Sequence, residues 1–156
     1  MPDEKNPPPL MSSSSPSYER AREEAKHPSD VGPAQQVAVL EQLFEAEDNG
    51  RLANLRAASS LTDPTEAQTR ADGHAAHQQA LAGLITALGG AAPREGETRQ
   101  ILPHGADDVA RASGDREIDE ALRLVEDDLA TAYKTALTDP HLDDAQREAL
   151  SLLSPG

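Results

Sequence analysis

The tetrapeptide LTDP occurs twice in this chain, at residues 61–64 and again at residues 137–140. An Asp-Pro step is a helix-start signal, because the Asp side chain can accept a backbone hydrogen bond and the fixed φ of proline suits the first helical turn. Each copy separates two segments whose apolar residues recur at helical spacing. Because short connections place consecutive helices side by side, the repeat predicts two antiparallel helical hairpins.

Apolar residues at intervals of three and four define the helices around the first LTDP. A first helix is predicted over residues 34–59. A second begins at Asp63, has Glu66 at the acidic position of a capping box, and stops at Gly89 and Gly90. The seam of this second helix consists of Ala67, Ala71, His74, His77, Leu81, Leu84, Ile85 and Leu88.

The same spacing resumes after a mixed connection. Within that connection, residues 106–112 are predicted to form a short helix. A third long helix is predicted over residues 115–137, and residues 141–153 form a shorter fourth helix after the second LTDP. Because alternating β-branched runs are absent from the sequence, the predicted fold class is all-α.

The N-terminal segment differs from the rest in composition. Residues 1–33 include the tract KNPPPLMSSSSPS, in which few side chains can be buried to offset the entropy lost on ordering the backbone. We predict a disordered Pro/Ser-rich tail over residues 1–33, with a transient helix within residues 17–27. Residues 34–156 are predicted to form the helical bundle domain.

The acidic composition excludes several classes of partner. The chain has 28 Asp and Glu against 14 Lys and Arg, a net charge of −14, so it lacks the basic face that nucleic acid or anionic lipid requires. It contains no Cys, which excludes disulfides and cysteine metal sites and fits a cytoplasmic location. The acidity is explained either by an ordinary solvated surface or by adaptation to high salt.

Two hairpins joined by a long crossover form the plan of the ferritin-like bundle. The segment HAAHQQALAGLITALGG, residues 74–90, resembles the second helix of that superfamily. The segment EDDLATAYKTAL, residues 126–137, resembles the third helix of an uncharacterised bacterial branch. The His-Gly step at residues 104–105 and the Ser-Gly-Asp turn at residues 113–115 are similar to that branch as well. The resemblance covers residues 37–153 and implies a ferritin-like four-helix bundle.

The resemblance also implies a two-metal carboxylate site inside the bundle. Carried over residue by residue, Glu126 matches the acid of the third helix and His77 the histidine of the second-helix pair. Glu47 is the nearest candidate in the first helix. His74 stands where the family has a glutamate, and the fourth helix lacks the Glu-x-x-His step of the family. The implied ligands are therefore Glu47, His74, His77 and Glu126, with iron, manganese or zinc as the metal.

A simpler interpretation needs no metal. The two histidines are then partly exposed and hydrogen-bonded to Glu47 or Glu126. Glu126 itself lies either at the border of the third-helix seam, reaching solvent, or inside the seam. In the second case it requires a partner, because a buried unpaired carboxylate is costly, and Arg51, Glu47 and Tyr133 are the candidates.

The leading functional expectation is a non-catalytic ferritin-like helical module that self-associates as a homodimer. The predicted fourth helix is short and leaves the core open at one end, which a second copy can cover. A stress-associated role is implied by the resemblance alone. The missing fourth-helix ligands favour this module over the alternative, a metal-binding protein with oxidase-like chemistry. A third alternative is an adaptor whose N-terminal tail recruits a protein partner. No catalytic residue and no cofactor is assigned.

Overall fold

The computed structural model describes residues 32–94 and 102–155, which form five α-helices and no strand. The helices are α1 (Pro33–Ala58), α2 (Thr65–Ala87), α3 (Ala106–Arg111), α4 (Gly114–Leu137) and α5 (Asp144–Leu153). The all-α prediction is confirmed. The predicted transient helix, and the predicted tail apart from its last two residues, lie outside the described residues. None of the helices in these ranges combines the length and the apolar composition that crossing a membrane requires.

The first LTDP segment starts a helix as predicted. Asp63 Oδ1 accepts the backbone N–H of Thr65 at 3.0 Å, and α2 begins at that residue. This bond lowers the pKa of Asp63, because it stabilises the ionised carboxylate. Glu66 was expected in a capping box, but its Oε2 pairs with Arg70 Nη1 at 3.1 Å.

The second LTDP segment makes the same local bond without starting a helix. Asp139 Oδ1 accepts the backbone N–H of His141 at 2.8 Å, yet α5 begins only at Asp144. The N-cap of α5 is Asp143, whose carboxylate accepts the N–H of Gln146 at 2.7 Å in a complete capping box. The helix predicted from residue 141 therefore starts three residues later, because the better cap lies there.

The predicted end of α2 at Gly89 and Gly90 is confirmed. Gly89 has φ 87°, the left-handed conformation that glycine adopts without steric penalty. The N–H of Gly90 bonds the carbonyl of Ile85 at 3.0 Å, and the N–H of Gly89 bonds that of Thr86 at 2.9 Å. These two bonds satisfy carbonyl groups that the last turn of α2 would otherwise leave unpaired.

Side-chain contacts establish the directions of the three long helices. Two residues of α1 each touch both α2 and α4. Glu47 bonds His74 and Tyr133, and Asn54 bonds Arg70 and Glu126. From Glu47 to Asn54 along α1, the contacted residue changes from His74 to Arg70 in α2 and from Tyr133 to Glu126 in α4. Residue numbers therefore fall in both neighbours as they rise in α1, so α1 runs antiparallel to both α2 and α4. α2 and α4 are therefore parallel to each other, so the end of α2 and the start of α4 lie at opposite ends of the bundle.

A buried polar layer divides the apolar core into two clusters. The larger cluster includes Leu40, Leu43, Phe44, Leu81, Ile85, Leu129, Tyr133, Leu142 and Leu150. The smaller cluster consists of Ala53, Ala57, Ala67, Val109, Ile118, Leu122 and Val125. The polar layer consists of Glu47, Asp48, Arg51, Asn54, Arg70, His74, His77, Gln78 and Glu126. Buried charges rarely add stability relative to apolar packing, so this layer calls for a functional explanation.

The short α5 covers only the larger cluster. It has 10 residues against the 26 of α1, and Leu150 anchors it with no exposed surface. The crossover helix α3 closes one side of the smaller cluster through Val109, which is 2% exposed. Between α2 and α4 the bundle has a cleft of about 310 Å³.

Candidate metal centre

Glu47 lies at the centre of the polar layer and has no exposed surface. Its Oε1 lies 2.7 Å from Nδ1 of His74, and its Oε2 lies 3.0 Å from Nδ1 of His77. Tyr133 donates its hydroxyl proton to Oε2 at 2.5 Å. One carboxylate from α1 thus contacts two imidazoles of α2 and a phenol of α4, inside the bundle.

His74 is held between two carboxylates. Its Nδ1 faces Glu47, and its Nε2 lies 2.9 Å from Oε2 of Glu126. The ring also lies close to α1 at Gly50, where an added Cβ would stand 3.0 Å from Nε2. Glycine at this position therefore leaves room for the imidazole to bridge α1 and α4.

Helical spacing explains how each helix delivers its side chains. His74 and His77 are three residues apart on α2, and this separation places both on one face of the helix. Glu126 and Tyr133 are seven residues apart on α4, about two turns, and share its buried face. These faces meet α1 at Glu47, which contacts His74, His77 and Tyr133.

The surroundings of His74 favour its protonated form. Burial alone would lower its pKa, but hydrogen bonds and negative charges from Glu126 and Glu47 outweigh that effect and raise the pKa to about 9. Burial correspondingly tends to raise the pKa of Glu126, while His74, Asn54 and Arg70 lower it, and the net shift is downward. Burial and the neighbouring charge of Glu47 raise the pKa of Tyr133, which stays a neutral donor.

The remaining polar side chains form a support around this centre. Arg51 Nη2 lies 2.7 Å from Oδ1 of Asp48, and its Nε lies 3.1 Å from Oε1 of Gln78. Asn54 Nδ2 donates to Oε2 of Glu126 at 3.1 Å, while Arg70 donates to Oδ1 of Asn54 at 3.1 Å. The bonds of Arg51 with Gln78, of Asn54 with Glu126 and of Arg70 with Asn54 join different helices, whereas the pair of Arg51 with Asp48 lies within α1.

The charges within the polar layer balance when His74 is protonated. Its acidic members are Glu47, Asp48 and Glu126, and its charged basic members are then Arg51, Arg70 and His74. An internal layer without net charge avoids the penalty of an uncompensated buried ion. A proton on His74 is therefore the state of lowest electrostatic cost while no other cation is present.

This arrangement predicts that the metal-free protein loses stability as the pH rises from about 6.5 to 9. His74 keeps its proton through this range when folded but releases it near pH 6.5 when unfolded, so the folded state binds more protons. The expected loss is up to roughly 3 kcal/mol, measured by urea unfolding at several pH values with a chelator present.

The substitution Glu126→Gln should shrink this loss, because the variant removes one of the two charges that hold the His74 proton. The matched control is Asp127→Asn, whose side chain is 63% exposed and pairs with Arg123 on the surface. A pH profile that Glu126→Gln leaves unchanged would contradict the assigned role of Glu126.

The structure brings the four predicted site residues together and shows the histidine–carboxylate hydrogen bonds of the metal-free interpretation: His74 bonds Glu47 and Glu126, and His77 bonds Glu47. His77 is half-exposed as that interpretation expected, whereas His74 is buried.

The other candidate partners of Glu126 are corrected. Arg51, Glu47 and Tyr133 were expected as partners of Glu126, whereas its side-chain bonds go to His74 and Asn54. Tyr133 bonds Glu47 instead. Glu126 was predicted either at the border of the seam, reaching solvent, or inside the seam with a partner. Its position is intermediate, because its side chain is 29% exposed and is paired with His74.

Sequence reasoning missed the role of Asn54. It lies on α1 with no exposed surface and joins Arg70 to Glu126. The available signal was a polar residue between Ala53 and Leu55 at a position that faces the core. Asparagine is common on helix surfaces, so that signal alone does not distinguish a buried Asn54 from an exposed one.

Three side chains of this centre fit a single metal ion. Each of Glu47, His74 and His77 has a ligand atom within 4.8 Å of the others. Two imidazoles and one carboxylate form a common ligand set for catalytic zinc and non-haem iron. Glu126 lies where it can accept the Nε2 proton of a metal-bound His74, the outer bond that typically orients a histidine ligand. The described residues therefore supply a three-ligand site with an outer carboxylate.

A cleft of about 280 Å³ opens onto this centre. Its polar lining consists of Glu47, His74, His77 and Glu126, and Leu129, Leu152, Leu153, Ser154 and Pro155 complete the lining. The side chain of His77 is 35% exposed and that of Glu47 is fully buried. The centre is thus reached from solvent past His77.

A separate cleft of about 270 Å³ lies between α1 and α4. It contains the carboxylates of Asp128 and Asp139, which lie 3.0 Å from Nδ1 of His104 and 2.8 Å from Nδ1 of His141. Each of these carboxylates has only one histidine beside it. Within the described residues, the three-ligand group is found only at Glu47, His74 and His77.

No family model matches this chain, and neither a curated protein nor a solved structure is found to be similar to it.

Proposed function

We propose that this protein binds one divalent transition-metal ion through Glu47, His74 and His77 in a helical bundle of ferritin-like plan. The observation that carries the proposal is the convergence of three ligand atoms within 4.8 Å, from side chains that are buried or half-buried. The antiparallel packing of α1 against both α2 and α4 supports the ferritin-like plan. The single site replaces the two-metal site that the resemblance implies, because His74 stands in the position of one of the expected carboxylates.

The other side chains would hold the ligands in place. Tyr133 donates to Glu47 and so orients its carboxylate. Glu126 accepts from His74 and is itself oriented by Asn54. A bound ion would supply Lewis acidity at a position that the cleft connects to solvent.

The ligand set selects among metals. Imidazole nitrogen suits zinc and the later first-row divalent ions, whereas magnesium and calcium prefer oxygen ligands throughout. Affinity rises from manganese through iron and cobalt to copper and is lower again at zinc, so affinity alone does not select the ion. Zinc is the expected ion because two imidazoles and one carboxylate with an open position form a common zinc site, and cobalt is its spectroscopic substitute.

Titration of tag-free full-length protein with zinc should show one ion per chain. His77→Ala should weaken zinc binding at least about 100-fold, because a three-ligand site loses one third of its protein ligands. Binding at pH 7 should release about one proton, since zinc and the proton compete for Nδ1 of His74. The measurements are calorimetry in buffers of different ionisation enthalpy and competition with a chromophoric chelator.

The matched control is His141→Ala, which removes a histidine whose side chain is 39% exposed and lies in the α4–α5 turn. It should leave zinc affinity unchanged within about twofold. Equal losses in the two variants, or no zinc binding at all, would overturn the proposed function.

Self-association as a homodimer stays a prediction. Among the described residues, the large apolar side chains that are exposed are Leu55 at 45% and Leu152 at 83%. Single exposed apolar residues of this kind are normal on a monomer and do not by themselves indicate an interface. Sedimentation equilibrium measures the oligomeric state directly.

A further inference from the structure

Gly50 is a buried glycine in the interior of α1, where glycine is normally unfavourable. Its φ is not positive, so the backbone conformation itself does not require glycine. In a helix interior, glycine lowers the folding equilibrium constant about two- to fivefold relative to alanine, because it loses more backbone entropy on folding. A contact of Gly50 with another part of the molecule must therefore account for its presence.

The space that a side chain at Gly50 would need is occupied by the imidazole of His74. The three atoms nearest to an added Cβ are Nε2 at 3.0 Å, Cε1 at 3.1 Å and Cδ2 at 3.2 Å of this ring. Favourable carbon contacts in proteins are about 3.5–4.0 Å long. An alanine at this position would therefore push against a side chain of the proposed metal centre.

The imidazole of His74 has little freedom to make room. Its Nδ1 lies 2.7 Å from Oε1 of Glu47, its Nε2 lies 2.9 Å from Oε2 of Glu126, and the side chain is 8% exposed. An added methyl group would meet the half of the ring that carries Nε2, so relieving the contact would displace this nitrogen from Glu126 or the whole ring from Glu47. A displacement of a few tenths of an ångström approaches the tolerance of about 0.5 Å for a binding constellation.

The seat of the ring also decides which nitrogen of His74 faces an ion. Its Nδ1 and the Nδ1 of His77 both converge on the carboxylate of Glu47, at 2.7 Å and 3.0 Å. Its Nε2 faces Glu126 on the other side. A carboxylate that accepts a proton from one ring nitrogen fixes the tautomer and leaves the other nitrogen to bind the metal.

We propose that Gly50 is a positioning residue, which seats the ring of His74 between Glu47 and Glu126 and thereby selects Nδ1 as the nitrogen that binds the ion. The helix α1 gives up the stability that alanine would add, because a methyl group there would displace the imidazole. This proposal rests on the proposed function, since it requires an ion at Glu47, His74 and His77. The contact between Gly50 and the ring does not depend on an ion.

The first test is zinc affinity of tag-free full-length protein carrying Gly50→Ala. Affinity should fall at least about tenfold, the effect typical of disturbing an outer partner of a histidine ligand. The matched control is Gly83→Ala, at an exposed glycine of α2 where an added Cβ has nothing within 4 Å. It should leave zinc affinity unchanged within about twofold and raise the folding equilibrium constant about two- to fivefold.

A double-mutant cycle tests the contact without metal. His74→Asn removes Nε2 and Cε1, the two atoms nearest to an added Cβ, and keeps a side-chain N–H. In this background Gly50→Ala should raise the folding equilibrium constant about two- to fivefold, as Gly83→Ala does, whereas in the wild type it should not. Urea unfolding with a chelator present measures all four proteins. A double variant that is less stable than His74→Asn alone would overturn the contact.

The second readout is the tautomer of His74 in the zinc-loaded protein, which long-range proton–nitrogen NMR correlations report. The proton should lie on Nε2 in the wild type and in Gly83→Ala, and Gly50→Ala should disturb this pattern. A proton on Nδ1 of His74 in the zinc-loaded wild type would overturn the selection of this nitrogen.

The outcomes separate the two proposals. A wild-type protein that does not bind zinc would overturn the proposed function and the selection of the nitrogen together. Zinc binding that Gly50→Ala leaves unchanged would overturn the positioning role of Gly50 and leave the metal site standing. A gain in stability from Gly50→Ala equal to that from Gly83→Ala would overturn it as well.

Discussion

Replacing Glu47 by alanine is expected to lower the free energy of unfolding of the metal-free protein by about 3–5 kcal/mol. The wild-type carboxylate is fully buried and bonds His74, His77 and Tyr133. Its removal leaves these donors without their acceptor, and it removes one of the two charges that balance a protonated His74. It also leaves a cavity the size of the lost side chain.

The comparison that isolates this effect is Glu66→Ala, an equivalent change at a side chain that is 82% exposed. Its ion pair with Arg70 joins residues four apart on the surface, and such a pair contributes at most about 0.5 kcal/mol. Urea unfolding at pH 7 with a chelator measures both variants. If Glu47→Ala were as mild as Glu66→Ala, the polar layer would not hold the helices together.

The variant Glu47→Gln separates charge from shape. It keeps the volume of the side chain and one carbonyl oxygen that can accept from Tyr133, but it removes the negative charge beside His74. The expected destabilisation is about 1–3 kcal/mol, smaller than that of alanine. Zinc affinity should fall in both variants, because neither provides a carboxylate ligand.

The substitution Leu150→Ala is expected to destabilise the protein by about 2–5 kcal/mol. Leu150 has no exposed surface and belongs to the larger core cluster. It is the fully buried side chain of α5, so its truncation leaves a cavity where this short helix meets α4. Loss of this anchor should also disturb the cleft beside Glu47, because residues 152–155 line it.

The matched control for this prediction lies two residues further along the same helix. Leu152 is 83% exposed, and Leu152→Ala should change the free energy of unfolding by no more than about 0.5 kcal/mol. Thermal or urea unfolding of the two variants gives the comparison. Similar values for both would mean that α5 does not pack as described.

The helices were predictable because their signals are local. The bonds that start α2 at Asp63 and end it at Gly89 involve residues within a few positions of each other. The second LTDP shows where a local signal misleads. Asp139 makes the expected bond, but Asp143 competes with it and offers the complete capping box, so the helix follows Asp143.

The candidate site was predictable in part. Its four residues followed from a resemblance to a family pattern, and their helices were placed correctly. Hydrogen bonds from the histidines to Glu47 or Glu126 were among the predicted alternatives. The contacts of Tyr133 and Asn54 did not follow, because the hydroxyl of Tyr133 reaches Glu47 across 86 positions of sequence and Asn54 reaches Glu126 across 72. Periodicity shows which face of a helix is buried, but it does not show which residue of the next helix lies opposite.

The amino-acid sequence alone determines that this chain forms long helices, where most of them begin and end, and that they carry an acidic surface. Only the packing of α1 against α2 and α4 decides that Glu47 is fully buried and that His74 lies between two carboxylates. The reason is physical: capping and periodicity depend on neighbours along one helix. The distance between side chains on different helices depends on the rotation and register of those helices, which the whole core sets together.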